Sequence, residues 1–278
     1  MNSSLSLFYR FAGAFSVRPV DTLEPSGENQ SSISRGGVIT RSRGEFPPPD
    51  AGYDTGPCVF VGHFAVAFGA KRAVPAVSLG TLFIAGQLAD LVWPVLVIAG
   101  IERVAVQPGL TKVTPLDFVY YPFSHSLAAA VAWALLFAAA YMGLRKAGVR
   151  TGVVLAAVVV SHWLLDALTH RPDMPLTAAA GSSRVGLGLW NSVAGTLAVE
   201  LLLFAAGLWL YTRATRAVDR TGRVALWGLV AFLLAVYIAN LFGPPPPSGM
   251  AAAWSALAMW LLVAWGYWVD RHRARVRA

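Results

Sequence analysis

Beyond residue 57 the chain is a succession of apolar stretches, each about 20 residues long and nearly free of charge, joined by short Arg-rich or Pro-rich links. In hydrocarbon every backbone N–H and C=O must be satisfied within the structure itself, and stretches of this length satisfy them as helices. A mean hydropathy of +0.57 with only 13% charged residues extends the argument to the whole chain and excludes a soluble enzyme. Cys58 is the single cysteine, which excludes an internal disulfide framework, a cysteine-based zinc site and an iron–sulfur cluster. Any metal chemistry must use histidine and carboxylates.

One short apolar segment, Cys58–Ala70, precedes six longer ones: Val74–Ile101, Phe118–Leu144, Thr151–His170, Leu187–Tyr211, Arg223–Phe242 and Ala251–Val269. The predicted fold is all-α, a polytopic transmembrane helical bundle of about six spanning helices plus one short N-terminal half-helix. Residues 1–57 combine five Arg with six acids, several Ser and Gly, and Pro47-Pro48-Pro49. They are expected to be a disordered or mis-assigned extension, without the cleavage site of a signal peptide. Residues 58–270 then form the membrane domain and 271–278 a basic tail.

The net charge of +8 does not form a patch of the kind that binds nucleic acid, so no nucleic-acid partner is expected. The basic residues fall at helix ends. One set of connections carries thirteen, among them Lys71, Arg72, Arg145, Lys146 and the tail arginines; the opposite set carries four, Arg103, Lys112, Arg171 and Arg184. Short loops rich in Lys and Arg stay cytoplasmic, which predicts a cytoplasmic C-terminus. Trp93, Trp190, Trp227, Trp254, Trp265 and Trp268 fall near predicted helix ends, as interfacial anchors do.

Ionisable side chains inside spans cost about 2.5 to 3.5 kcal/mol on insertion scales, which makes each a site candidate. Here they are His63, Asp90, His125, His162, Asp166, His170 and Glu200, with Asn240 as a further polar residue. His162 and Asp166, four apart on a helix, share one face, with His170 a turn further. A His-x3-Asp pair supplies two ligands for zinc or manganese, and His125 on a neighbouring helix can supply a third, oriented by Ser124 or Ser126. Chain direction brings Asp90, His125, His162, Asp166 and His170 to one membrane face, with His63 deeper.

These residues lie in motifs through which the chain resembles the YdjM-like family of bacterial inner-membrane, metal-dependent hydrolases, distantly grouped with zinc-dependent phospholipase C proteins. The resemblance covers approximately residues 61–191 and rests on GHFAVAFGAKR, GQLADL, SHSL and SHWLLDALTHRPDMPL. The family's counterparts are a Gly-His, a Pro-Asp-x-Asp type turn, a Thr-His-Ser and a His-x3-Asp. Position by position, the resemblance implies His63, Asp90, His125, His162 and Asp166 as the metal-binding set. This chain keeps one acid of the turn, Asp90, and has Tyr121-Pro122 where a His-Arg dipeptide often stands.

The leading expectation is a hydrolase of a phosphoester or lipid-like substrate reached from the bilayer. His125, His162 and Asp166 hold zinc or manganese, His170 is a further candidate ligand, and Asp90 or His63 completes the site or acts as general base. The same cluster suits a proton- or ion-coupled permease, a haem held by His125 and His162, or a scaffold whose polar groups only lock helices together. Nothing in the sequence fixes the oligomeric state.

Overall fold

A computed structural model describes residues 61–276. The expectations for residues 1–57, for the start of Cys58–Ala70 and for the last two tail residues lie outside the described residues. The first helix, α1 (Val61–Ala73), ends on Lys71 and Arg72. Ser78 caps α2 (Leu79–Gly86), and α3 (Leu88–Ile98) follows after a 58° bend at Gln87. The expected straight span Val74–Ile101 is thus broken. Within α3, Pro94 has no N–H to donate to the carbonyl of Asp90, which loosens the helix at that residue.

An antiparallel ribbon of β1 (Arg103–Val106) and β2 (Leu116–Tyr120) leads into a single turn, α4 (Pro122–His125). Ser126 then caps α5 (Leu127–Arg145), so the expected span Phe118–Leu144 starts nine residues late and His125 sits ahead of it. Helix α6 (Val149–Thr169) returns, followed by a second ribbon of β3 (Met174–Pro175) and β4 (Arg184–Val185). Ser192 caps α7 (Val193–Ala214); β5 (Thr215–Ala217) connects to α8 (Arg220–Phe242), capped by Asp219. Helices α9 (Gly249–Ala256) and α10 (Met259–Arg271) run on as one 23-residue span, and β6 (Arg273–Arg275) pairs with β5.

Among the described residues five helices are long and apolar enough to cross a membrane, or six if the bent α2–α3 pair is one span. The fold is therefore the expected helical membrane domain, with three small ribbons added at its ends. Helix α1, too short to span, is a core element. Phe64 and Phe68 are inaccessible and meet Phe83, Phe204 and Tyr211 edge-on, with ring centroids 4.9–6.0 Å apart. Its closest partner is α7, where Gly207 lies against the carbonyl of Ala65 and a β-carbon has no room. Helix α5 turns Ala130, Ala134 and Ala138 inward towards α6 and leaves Leu135, Leu136 and Leu144 exposed, a small-residue seam on one face and a lipid-facing surface on the other.

The β5–β6 end carries most of the basic residues. Lys71 is not a surface charge there: it is 3% exposed and reaches Asp270 of α10 at 2.5 Å and the carbonyl of Val77 at 2.7 Å. His272 and Arg273 of the tail are also paired. His272 Nδ1 lies 2.8 Å from Asp219, and the Arg273 guanidinium donates to Thr215 and to the carbonyl of Gly222. Two of the expected interfacial tryptophans, Trp93 and Trp190, are buried at the opposite end, while Trp227, Trp254 and Trp268 are exposed.

Candidate metal centre

At the β1–β2 end, four elements bring five of the predicted residues together: His63 from α1, Asp90 from α3, His125 from α4, and His162 and Asp166 from α6. Four of these are buried, while the Asp90 side chain is 27% exposed and so marks the open side. The orientation of each imidazole follows from its partners. His162 Nδ1 donates to the carbonyl of Gly86 at 2.8 Å, a carbonyl exposed at that point because α2 ends there in the bend. His162 Nε2 is thereby left to point at Asp166 Oδ2, 3.2 Å away.

His125 is oriented by a chain of two residues. The Glu102 carboxylate accepts from the Ser124 hydroxyl at 2.6 Å and from the backbone N–H groups of Phe123 and Ser124 at 2.8 and 2.9 Å. The Ser124 proton being committed to Glu102, its oxygen can only accept from His125 Nδ1 at 2.7 Å. Nε2 of His125 faces Asp90 Oδ1 at 3.3 Å, within hydrogen-bond reach, and Asp166 Oδ2 at 3.8 Å. Ser126, the other flanking serine, instead caps α5.

Four atoms thus face one another: Nε2 of His125, Nε2 of His162, Oδ1 of Asp90 and Oδ2 of Asp166. The four nitrogen-to-oxygen separations are 3.2, 3.3, 3.8 and 3.8 Å. Two overlapping groups, each with its ligand atoms within 4.8 Å of one another, could hold a metal ion: Asp90, His125 and His162, and His63, His162 and Asp166. Imidazole nitrogens and carboxylate oxygens are donors of the kind divalent transition metals take, so these residues could hold a metal ion. His63 Nε2 lies 3.3 Å from both Asp166 Oδ1 and the carbonyl of His162 and donates to them. Its ring packs on His162 with centroids 3.8 Å apart.

His170 is not among the groups that converge on the centre. It closes α6, accepts packing from Trp190 at 4.2 Å between centroids, and pairs through Nδ1 with Asp173 at 3.1 Å. It nonetheless lines the same cavity, of about 60 Å³, whose walls include Trp93, Phe118, Trp190 and Met259. A space of that size holds an ion and a few waters and admits only the reacting group of a larger molecule. Burial alone would raise the Asp173 carboxyl; the hydrogen bonds from His170, Arg171 and Tyr121 outweigh it and hold it below the usual carboxylate range. Burial and the neighbouring Asp173 carboxylate push the Tyr121 phenol up, so it remains a donor.

Two acids take places that the sequence did not indicate. Glu102 is 1% exposed and serves both α4 and His125; the only hint is its position just past a helix end, beside Gly100. Glu200 of α7 accepts from the backbone N–H groups of Val61 and Gly62 and so fixes the start of α1 beside His63. Asp90 pairs with His125 and His162 rather than with Arg103, which lies over the Tyr120 ring. No protein-family model, no curated protein and no solved structure matches this chain.

Proposed function

We propose that the chain is an integral membrane metalloenzyme that hydrolyses a phosphoester or lipid-like ester, with its metal held by His125, His162 and Asp166. The observation that carries the reading is the convergence of His125, His162, Asp166 and Asp90 on one buried site, with His162 Nε2 and Asp166 Oδ2 opposed at 3.2 Å. A cation there would be held by that pair and by His125, leaving one position for water. Zinc or manganese in this place supplies a polarised water and a Lewis acid for the substrate oxygen. The chain's own residues do the rest: His63 donates to Asp166 Oδ1 and holds its other oxygen inward, and Gly86 and Ser124 fix the two imidazoles. Asp90, at the open side, is placed to take a proton from water in the cavity.

The resemblance of four motifs to those of the YdjM-like family supports the same reading. On this reading the centre lies on the outer side of a bacterial inner membrane and the tail in the cytoplasm, with substrate entering from the lipid; the distribution of Lys and Arg supports that orientation. A second reading has one specific observation in its favour: a helix broken beside ionisable residues is a feature of ion-coupled permeases.

Elemental analysis of the detergent-purified protein, prepared without chelators, tests the proposal. The expected result is about one zinc or manganese per chain, lost in His162→Ala and Asp166→Ala, with release of phosphate or a headgroup from phosphoester substrates by the metal-loaded protein alone. Metal-free protein after incubation with both ions means that a proton on His162 bridges the pair, and flux through proteoliposomes then becomes the test of the permease.

A further inference from the structure

The far end of the molecule holds a second cavity, a crevice of about 530 Å³ between α2, α5 and α10. Its walls are hydrocarbon, from Ile84, Phe137, Ala140 and Leu144, and Leu144 is 84% exposed on the lipid-facing side. Its rim is basic. Arg145 ends α5 and Arg271 ends α10, and neither has an ion-pair partner among the described residues. The one acid in the lining, Asp270, is already neutralised by Lys71 and accepts from Tyr211 and the N–H of Leu79.

A third component is a chain of hydroxyls. Ser78 and Thr81 oxygens lie 2.8 Å apart, and Thr81 and Tyr267 oxygens 2.9 Å apart. Three hydroxyl hydrogens serve two contacts, so in every arrangement one O–H remains to be donated, and all three residues line the crevice. Two uncompensated arginines, an unused hydroxyl donor and apolar walls open to the bilayer match one kind of occupant. We propose that this crevice binds an anionic phospholipid, its acyl chain against α5 and its phosphate between Arg145 and Arg271. Basic pockets between transmembrane helices recognise anionic headgroups in this way. The inference requires that this end meet a lipid leaflet and is independent of the metal centre.

Native mass spectrometry of the full-length protein, titrated with phosphatidylglycerol and with phosphatidylcholine of the same acyl chains, tests it. Wild type is expected to hold phosphatidylglycerol about tenfold or more tightly than phosphatidylcholine. The pair Arg145→Gln and Arg271→Gln abolishes that preference; the pair Arg216→Gln and Arg223→Gln, exposed at the same end outside the crevice, keeps it. Ala140→Trp, which fills the crevice without removing a charge, also loses the lipid. A photoreactive phosphatidylglycerol labels wild type within 137–145 or 267–271, which does not depend on any variant folding. Equal affinity for the two lipids, equal loss in the control pair, or labelling elsewhere overturns the proposal, and metal content stays unchanged in each variant whichever result is obtained.

Discussion

At the scale of single residues the candidate centre depends on tautomers. His125 and His162 turn Nε2 inward only because Nδ1 is committed, to Ser124 in one case and to the Gly86 carbonyl in the other. Glu102→Gln replaces an acceptor by an amide that can donate to Ser124, which turns the Ser124 proton towards His125 Nδ1 and places a proton on Nε2. Glu102→Gln and Ser124→Ala are therefore expected to weaken metal affinity about 10- to 100-fold, read by competition titration with a chromophoric chelator. An unchanged affinity in both would show that the relay does not set the ligand. Asp173 gives a prediction for acid stability. Its carboxyl is held low in the fold, so its contribution is complete above the unfolded value of about 3.9 and is lost as pH falls through the folded value. Thermal unfolding between pH 3 and 6 is expected to show a steeper acid loss for wild type than for Asp173→Asn.

At the scale of elements the bend between α2 and α3 positions the centre, because it exposes the Gly86 carbonyl to His162 and aims Asp90 at His125. A β-carbon at Gly86 meets the His63 carbonyl at 3.1 Å and the Ala67 methyl at 3.3 Å, so α1 must give way. Gly86→Val is expected to cost about 1–3 kcal/mol of stability. It should also weaken metal binding, since α1 carries His63; stability lost with metal affinity intact would uncouple the bend from the centre. Much of this was legible from the sequence. The His-x3-Asp pair falls on one helical face whatever surrounds it, and six long apolar runs predict six spans. The bend was not legible, because Gly86 and Gln87 are compatible with a continuous helix and the break is set by packing on α1. The late start of α5 had a local signal, Pro122 opening one turn and Ser126 capping the next helix within five residues. Glu102 had only its position past the end of α3, since its partners lie more than twenty residues away in a turn whose position only the fold determines.

At the scale of the whole molecule the centre joins elements that are far apart in sequence. His63 lies 99 residues from His162, yet α1, α3, α4 and α6 meet there with their charged and imidazole groups facing inward. Without a cation the two carboxylates of the inward face are balanced only by protons on the imidazoles that face them. With a cation the same four groups become attractions that cross-link the elements, so metal binding is also folding energy. An ion present at 100 times its dissociation constant stabilises the native state by about 2.7 kcal/mol. For a chain of this size that corresponds to about 5 to 10 °C in the unfolding midpoint. Removal of the metal from the detergent-purified protein is expected to lower the midpoint by that amount, and its return to restore it. In His162→Ala the midpoint should already be low and should not respond to chelator. A wild-type midpoint that stays fixed while elemental analysis confirms the loss of metal would mean that a proton, not an ion, bridges His162 and Asp166.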